Sequence, residues 1–319
     1  MTVEPALLDR LRGQINTRLR RVYAEGPPLL EAPIRYALTG KGKRLRPILT
    51  LLTYQACGGA QDSALHAAVA VELLHNFTLV HDDIMDNDQT RHGQTTVHEK
   101  WDEGVGILTG DALFVTALKE LRLSATGIEN LTTAFLDGAL AVCEGQALDK
   151  EFETREYVSL NEYITMVDLK TGYMLGLSSE LGAICASADE SRRAATRKFG
   201  RLLGRAFQIQ DDLLEIYSDA RTMGKSLGSD ILAEKKTYLL ISALEKIPEK
   251  VSSVIELARN DLKAGMNAMR LLLEEEGIRE NAEEAVRTNV VEAKEQLNPL
   301  AKGATMLEDF ADLVLQREK

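Results

Sequence analysis

Apolar side chains recur at three- and four-residue intervals along most of the chain. The longest proline-free run, Ile48 to Ile247, carries this spacing in a background rich in Ala, Leu, Glu and Lys. The seven prolines, at 5, 27, 28, 33, 47, 248 and 299, all lie outside it. Long helices need such a run, because proline removes a backbone donor and clashes with the preceding turn. Alternating β-branched and aromatic runs are scarce. The pattern therefore predicts an all-α fold of helices longer than average. Residues 1–26 read as one amphipathic helix, with Leu7, Leu8, Leu11, Ile15 and Leu19 on one side and Pro27-Pro28 ending it. Gly104, Gly106 and Thr109-Gly110, with Asp111 beyond, read as the break between two helices. Gly145, Gln146 and Asp149 place polar groups in a mostly apolar helix, roughly 130–152, where they could line a wet cavity.

One helix carries the strongest chemical signal. The apolar stretch from Ala67 runs without a breaker into His81-Asp82-Asp83-Ile84-Met85-Asp86. Asp82 and Asp86 fall one turn apart on the same face, with Asp83 about a quarter-turn away. Like charges at this spacing repel, so a cation between them is the natural expectation, and oxygen-only donors favour magnesium. A calcium loop fails, because Arg91 and Val97 stand where it needs Gly and Glu. A single DDxxD is more often a solvated helix end. The form recurs, however, at Phe207-Gln208-Ile209-Gln210-Asp211-Asp212-Leu213-Leu214-Glu215, 129 residues further on. Two apolar helices that end in acids at i, i+1 and i+4 suggest carboxylates facing each other across one cavity, with metals bridging a multiply charged anion.

Cations surround these acids in sequence. Lys41, Lys43, Arg44 and Arg46 cluster about the glycine turn Gly40–Gly42, a natural anion site that is not a Walker loop. His75 precedes Asp82 by two turns, and Arg91 follows Asp86 by five residues. Lys170-Thr171-Gly172, Gly224-Lys225 and Lys235-Lys236-Thr237 complete the set. The rest of the chain makes this meaningful. Its 319 residues carry a net charge of -11, which argues against nucleic acid as a partner. Hydrophobic residues make up 45%, enough for a substantial core. The three cysteines form no CxxC and read as reduced thiols of a cytoplasmic protein. No apolar stretch is long enough to span a membrane, and the N-terminus does not resemble a signal peptide.

Taken in order, GKRLRP, HDDIMD followed by RHG, LKTG, FQIQDDLLE, GKSLGSD and KKT resemble the trans-isoprenyl diphosphate synthases, the polyprenyl synthetase family, over roughly residues 30 to 245. The resemblance implies one domain, 1–319, folded as a barrel-like bundle of long helices around a deep cavity and usually paired as a homodimer. It implies three magnesium ions, held by Asp82 and Asp86 with Asp83 beside them, and by Asp211 with Asp212 and Glu215 acting through water. Arg91, Lys170, Gln208, Lys225 and Lys235 would hold an allylic diphosphate, next to Thr171. Lys43, Arg46 and His75 would hold isopentenyl diphosphate, with Gly42 and Arg44 in the same loop. The family pattern has Arg where His92 stands, a position that touches isopentenyl diphosphate, so binding there is expected to be weaker or pH-dependent. It has Pro at Thr95 and Asp at Glu215. Phe77 and Thr78, five and four positions before Asp82, fall where the family sets the floor of the product pocket. Small Thr78 with bulky Phe77 points to geranylgeranyl diphosphate, and farnesyl diphosphate is the alternative product. A terpene cyclase would not need Lys43, Arg46 and His75 for a second diphosphate. A non-catalytic subunit would be expected to have lost its acidic motifs.

Overall fold

The computed structural model describes residues 4–40, 42–60, 63–91, 93–124, 127–217, 232 and 234–315. Among them the fold is all-α, as the periodicity predicts, apart from one two-stranded hairpin. The chain divides into two compact units. The first comprises 1–139, 174–200 and 296–310; the second comprises 140–173, 201–295 and 311–319.

The first unit is built on α4, Leu65–Met85, which packs against α1 (Pro5–Leu19), α2 (Pro28–Leu38), α3 (Leu45–Ala56), α5 (Val97–Lys100) and α6 (Glu103–Leu121). Every residue of α4 from Ala67 to Leu74 is buried. A helix apolar on all sides belongs inside a bundle, and that position fixes the direction in which its acidic end emerges. The first helix ends at Leu19, earlier than its pattern suggests, though Leu8, Leu11, Ile15 and Leu19 are its buried face. Pro27 and Pro28 do not end it. They open α2, with Pro28 in the first turn, where its missing N–H costs nothing.

The glycines at 104, 106 and 110 also serve a purpose the sequence did not reveal. The break falls at Trp101, and Asp102 caps α6 by accepting from the Val105 N–H at 2.8 Å. The three glycines lie inside α6. A Cβ on Gly110 would come within 2.1 Å of His81 Nε2, so glycine here is what lets α6 approach α4 closely.

The second unit holds α8 (Leu160–Val167), a π-turn (Asp168–Gly172), α11 (Tyr238–Lys246), α12 (Pro248–Asn260), α13 (Leu262–Glu275) and α14 (Ile278–Glu295). It also takes the C-terminal parts of α7 (Ile128–Thr154) and α10 (Glu190–Tyr217). Its core gathers Phe152, Tyr163, Val167, Ile209, Leu213, Leu239 and Val251. The remaining helices are α9 (Tyr173–Cys185) and α15 (Ala304–Leu315), with a 3-10 turn over Asn298–Gly303. Among the described residues no helix is long and apolar enough to cross a membrane.

Candidate active site

In the first unit α4 delivers three carboxylates to its C-terminal end, but they do different things. Asp82 is half-buried, and Asp86, which closes the helix through its N–H to the Asp82 carbonyl, is exposed. Asp83 is only 5% exposed and accepts from Arg91 Nε at 2.5 Å. Burial pushes its carboxyl above the usual range, while the Arg91 guanidinium pulls the other way. Arg91 in turn stands on the hairpin strand Thr90–Arg91, paired with Gln94–Thr95, and its other arm lies 3.6 Å from Asp88. The hairpin therefore fixes an arginine against Asp83 and beside Asp88.

The loop before α3 separates its cations in the same way. Arg44 is buried in a left-handed conformation. Its guanidinium donates to Glu72 at 2.6 Å, Asn16 at 3.1 Å and the carbonyls of Leu38 and Gly40. All of these partners are protein groups, so Arg44 anchors the loop. Removing one side of such a buried pair costs roughly 3–5 kcal/mol. Gly42 and Lys43 are exposed, and Arg46 lies 3.1 Å from His75 Nε2, which brings together two residues assigned to one diphosphate. Further along α4, the Phe77 ring meets His81 at 4.8 Å and Phe114 at 5.4 Å, and Phe114 continues to Phe135. The Thr78 hydroxyl is used up on the His75 carbonyl at 2.9 Å. Phe114 and Phe135 carry no sequence signal beyond being apolar.

The second unit repeats the arrangement. Asp212 is 5% exposed and accepts from the Tyr163 hydroxyl at 2.5 Å, the Tyr238 N–H at 2.8 Å and Gln208 Nε2 at 3.2 Å. Burial pushes both the Asp212 carboxyl and the Tyr163 hydroxyl above their ordinary values. Asp211 and Glu215 flank it, half-buried, one turn apart on α10. Thr171 donates to Gln208 Oε1 at 3.2 Å, so Thr171, Gln208 and Asp212 form one chain. Lys170 Nζ lies 2.6 Å from Asp149. Both Lys170 and Thr171 belong to the π-turn, a distortion common at functional sites. Just upstream, Asp168 accepts from Arg201 and Arg205. Burial would raise its carboxyl, but the two guanidiniums hold it below the usual range. Gln146 is buried with both amide atoms unpartnered among the described residues, as a group lining a wet cavity would be. Gly145 lets α7 reach the π-turn: a Cβ there would lie 2.4 Å from the Lys170 nitrogen. Lys235 is exposed ahead of α11, which Thr237 caps. His92 and Lys225 lie outside the described residues.

Among the described residues no three His, Cys, Asp or Glu side chains converge as a metal cage. Magnesium does not need one, since it commonly binds through one or two carboxylates, water and substrate phosphates. In both motifs the middle acid is held by protein donors and the outer pair, at i and i+4, offers oxygens only. That donor set fits magnesium.

Known proteins share the sequence and the fold. The polyprenyl synthetase family model matches residues 27–272. A short chain isoprenyl diphosphate synthase of Methanothermobacter thermautotrophicus is 37% identical over 98% of both chains. A geranylgeranyl pyrophosphate synthase of Geoglobus acetivorans is 42% identical over 73% of this chain and 74% of that one. The crystal structure of geranylgeranyl pyrophosphate synthetase from Pyrococcus horikoshii superposes with a TM-score of 0.92 at 33% identity, over 98% of each chain. Helical fold, paired acidic motifs and sequence likeness place the chain in one class: it belongs to the polyprenyl synthetase family.

Proposed function

We propose that this chain is a magnesium-dependent short-chain prenyltransferase that condenses isopentenyl diphosphate with an allylic diphosphate in 1'-4 fashion. The observation that carries this reading is the shared design of the two acidic motifs, a buried and satisfied middle aspartate between two outer carboxylates. The Geoglobus and Pyrococcus relatives, both named for geranylgeranyl products, support a twenty-carbon product. Farnesyl diphosphate is the alternative.

Asp82, Asp86 and Asp211 would hold the magnesium ions, with Asp212 and Glu215 behind Asp211 and Asp83 positioning Arg91. Bound magnesium would supply positive charge to the leaving diphosphate. Arg91, Lys170, Gln208, Lys225 and Lys235 would hold that diphosphate as the allylic C–O bond breaks and its charge grows. Lys43, Arg46, His75 and His92 would hold isopentenyl diphosphate, whose double bond attacks the allylic cation to form the new C–C bond. The proton then lost passes to the released diphosphate. Thr171, on the π-turn, would lie next to the allylic diphosphate. Phe77, backed by Phe114, would form the floor that stops elongation, with Thr78 leaving space above it.

The chain would work as one domain, in water and in the cytoplasm, and as a homodimer. α6 leaves Ile107, Leu108 and Val115 exposed, and α7 leaves Leu136 and Leu140 exposed at helical spacing. Apolar rows of this kind mark association surfaces.

The Asp82→Ala variant tests the metal assignment. It is expected to keep its helical circular dichroism and to lose about three orders of magnitude in kcat/KM with magnesium saturating. Turnover at the wild-type level would remove Asp82 from the site.

A further inference from the structure

A cavity of about 470 Å³ lies in the first unit between α1, the end of α2 and the loop before α3. It falls within the range of small-molecule sites. Its walls include Arg12, Arg20, Arg35, Lys43 and Arg44, with no acidic residue among its lining. This is unusual in a chain with 49 acids and 38 lysines and arginines. Arg46 and His75, assigned above to isopentenyl diphosphate, do not line it.

The reason for the pattern lies in α1. Leu8, Leu11, Ile15 and Leu19 pack into the core, and the adjacent face presents Arg12, Asn16 and Arg20 to the cavity, at a spacing of one turn. The floor is apolar, formed by buried Leu19, Ile34 and Leu38. Arg44 is committed to Glu72 and Asn16, so it sets the shape of the wall and is not available to a ligand. Arg12 pairs with Asp9 at 2.6 Å and Arg35 pairs with Glu31, both within their own helix and both partly exposed. Such exposed pairs contribute only about 0.2–1 kcal/mol, so either arginine can turn to a stronger anion. Arg20 and Lys43 complete the ring. Arginine forks match phosphate oxygens two at a time, and several cations around one concave space select for a compact, multiply charged anion.

We propose that this cavity is a second anion site that takes a diphosphate group on Arg12, Arg20, Arg35 and Lys43, apart from the metal-bearing motifs. Lys43 lines the cavity and is also the lysine assigned above to isopentenyl diphosphate. Occupancy of the cavity draws its ammonium away from Arg46 and His75, which raises the KM for isopentenyl diphosphate and leaves kcat unchanged. This kinetic consequence rests on the reading of Lys43 given above; the binding itself does not.

The test is calorimetric titration of the full chain with inorganic diphosphate in EDTA, where metal-dependent binding at the aspartates is silent. The wild type and the Asp82→Ala variant are expected to bind alike, and Arg46→Gln is expected to lose only the isopentenyl diphosphate subsite and to keep the binding of the cavity. The Arg12→Gln/Arg20→Gln variant, checked for folding by circular dichroism, is expected to bind at least tenfold more weakly. Three results would overturn the proposal: no binding by the wild type, loss of binding in Arg46→Gln, or undiminished binding in the double variant. The first means an empty basic surface, the second places the anion in the catalytic site, and the third means an adventitious ion only. None of these bears on prenyl transfer, which is read separately by product formation.

Discussion

Asp83 and Asp212 share one fate, which differs from that of the outer acids of their motifs. Each is buried, and each is satisfied by donors from elsewhere in its own unit: Arg91 for the first, Tyr163, Gln208 and the Tyr238 N–H for the second. A buried carboxylate without such donors would cost several kcal/mol, roughly, and would neutralise instead. The middle acid of each motif thus orients its helix end and its neighbours. Asp168 makes a related contribution to stability. Its carboxyl is lowered in the folded protein by Arg201 and Arg205. The sign follows from linkage: the unfolded chain holds that proton more tightly, so the stabilisation is complete above the ordinary carboxylate range near pH 4, roughly, and disappears as pH falls through the lowered folded value. Thermal melts of wild type and Asp168→Asn should therefore differ most at neutral pH and converge on acidification. A gap in Tm that stays constant down to strongly acid pH would contradict this.

At the scale of elements, glycine decides how closely the site-bearing helices approach. Gly145 brings α7 against the backbone of Lys170. Gly145→Ala is expected to cost about 1–3 kcal/mol through overpacking, and to lower activity further by displacing Lys170 and its partner Asp149. Unchanged Tm and unchanged kcat/KM together would show that the turn yields freely. The elements also mark what could be read from the sequence. The acid pairs, the cation loop and the all-α class follow from spacing and the distribution of prolines, because helical period alone places Asp82 with Asp86. The end of α1 at Leu19 does not, since 20–26 hold no strong breaker and Pro27 and Pro28 open the next helix instead of closing this one. Nor do the α6 glycines, which look like turn residues until His81 is placed against them. Tyr163 as a partner of Asp212 requires knowledge of which helices meet. The Ser159–Glu162 capping box that starts its helix is legible in the sequence as Ser followed three residues later by Glu.

At the scale of the whole molecule, a chain of net charge -11 handles anionic substrates by gathering cations around a few loops. Its exposed apolar rows are the other molecular feature. Leu108 is 56% exposed, Val115 55% and Leu140 61%. Sedimentation equilibrium is expected to give a dimer, and Leu108→Glu with Val115→Glu is expected to shift it at least tenfold toward monomer. A wild type that sediments as a monomer at micromolar concentration would contradict the homodimer.

The most direct test of the central claim is product analysis. The purified protein is incubated with magnesium, labelled isopentenyl diphosphate and, separately, dimethylallyl, geranyl and farnesyl diphosphates. The products are then dephosphorylated and separated by chain length. A twenty-carbon alcohol from all three primers, absent when EDTA replaces magnesium, is the expected result. A product that stops at fifteen carbons would keep the reaction and move the floor above Phe77. A folded protein that elongates none of the primers would contradict the assignment as a prenyltransferase.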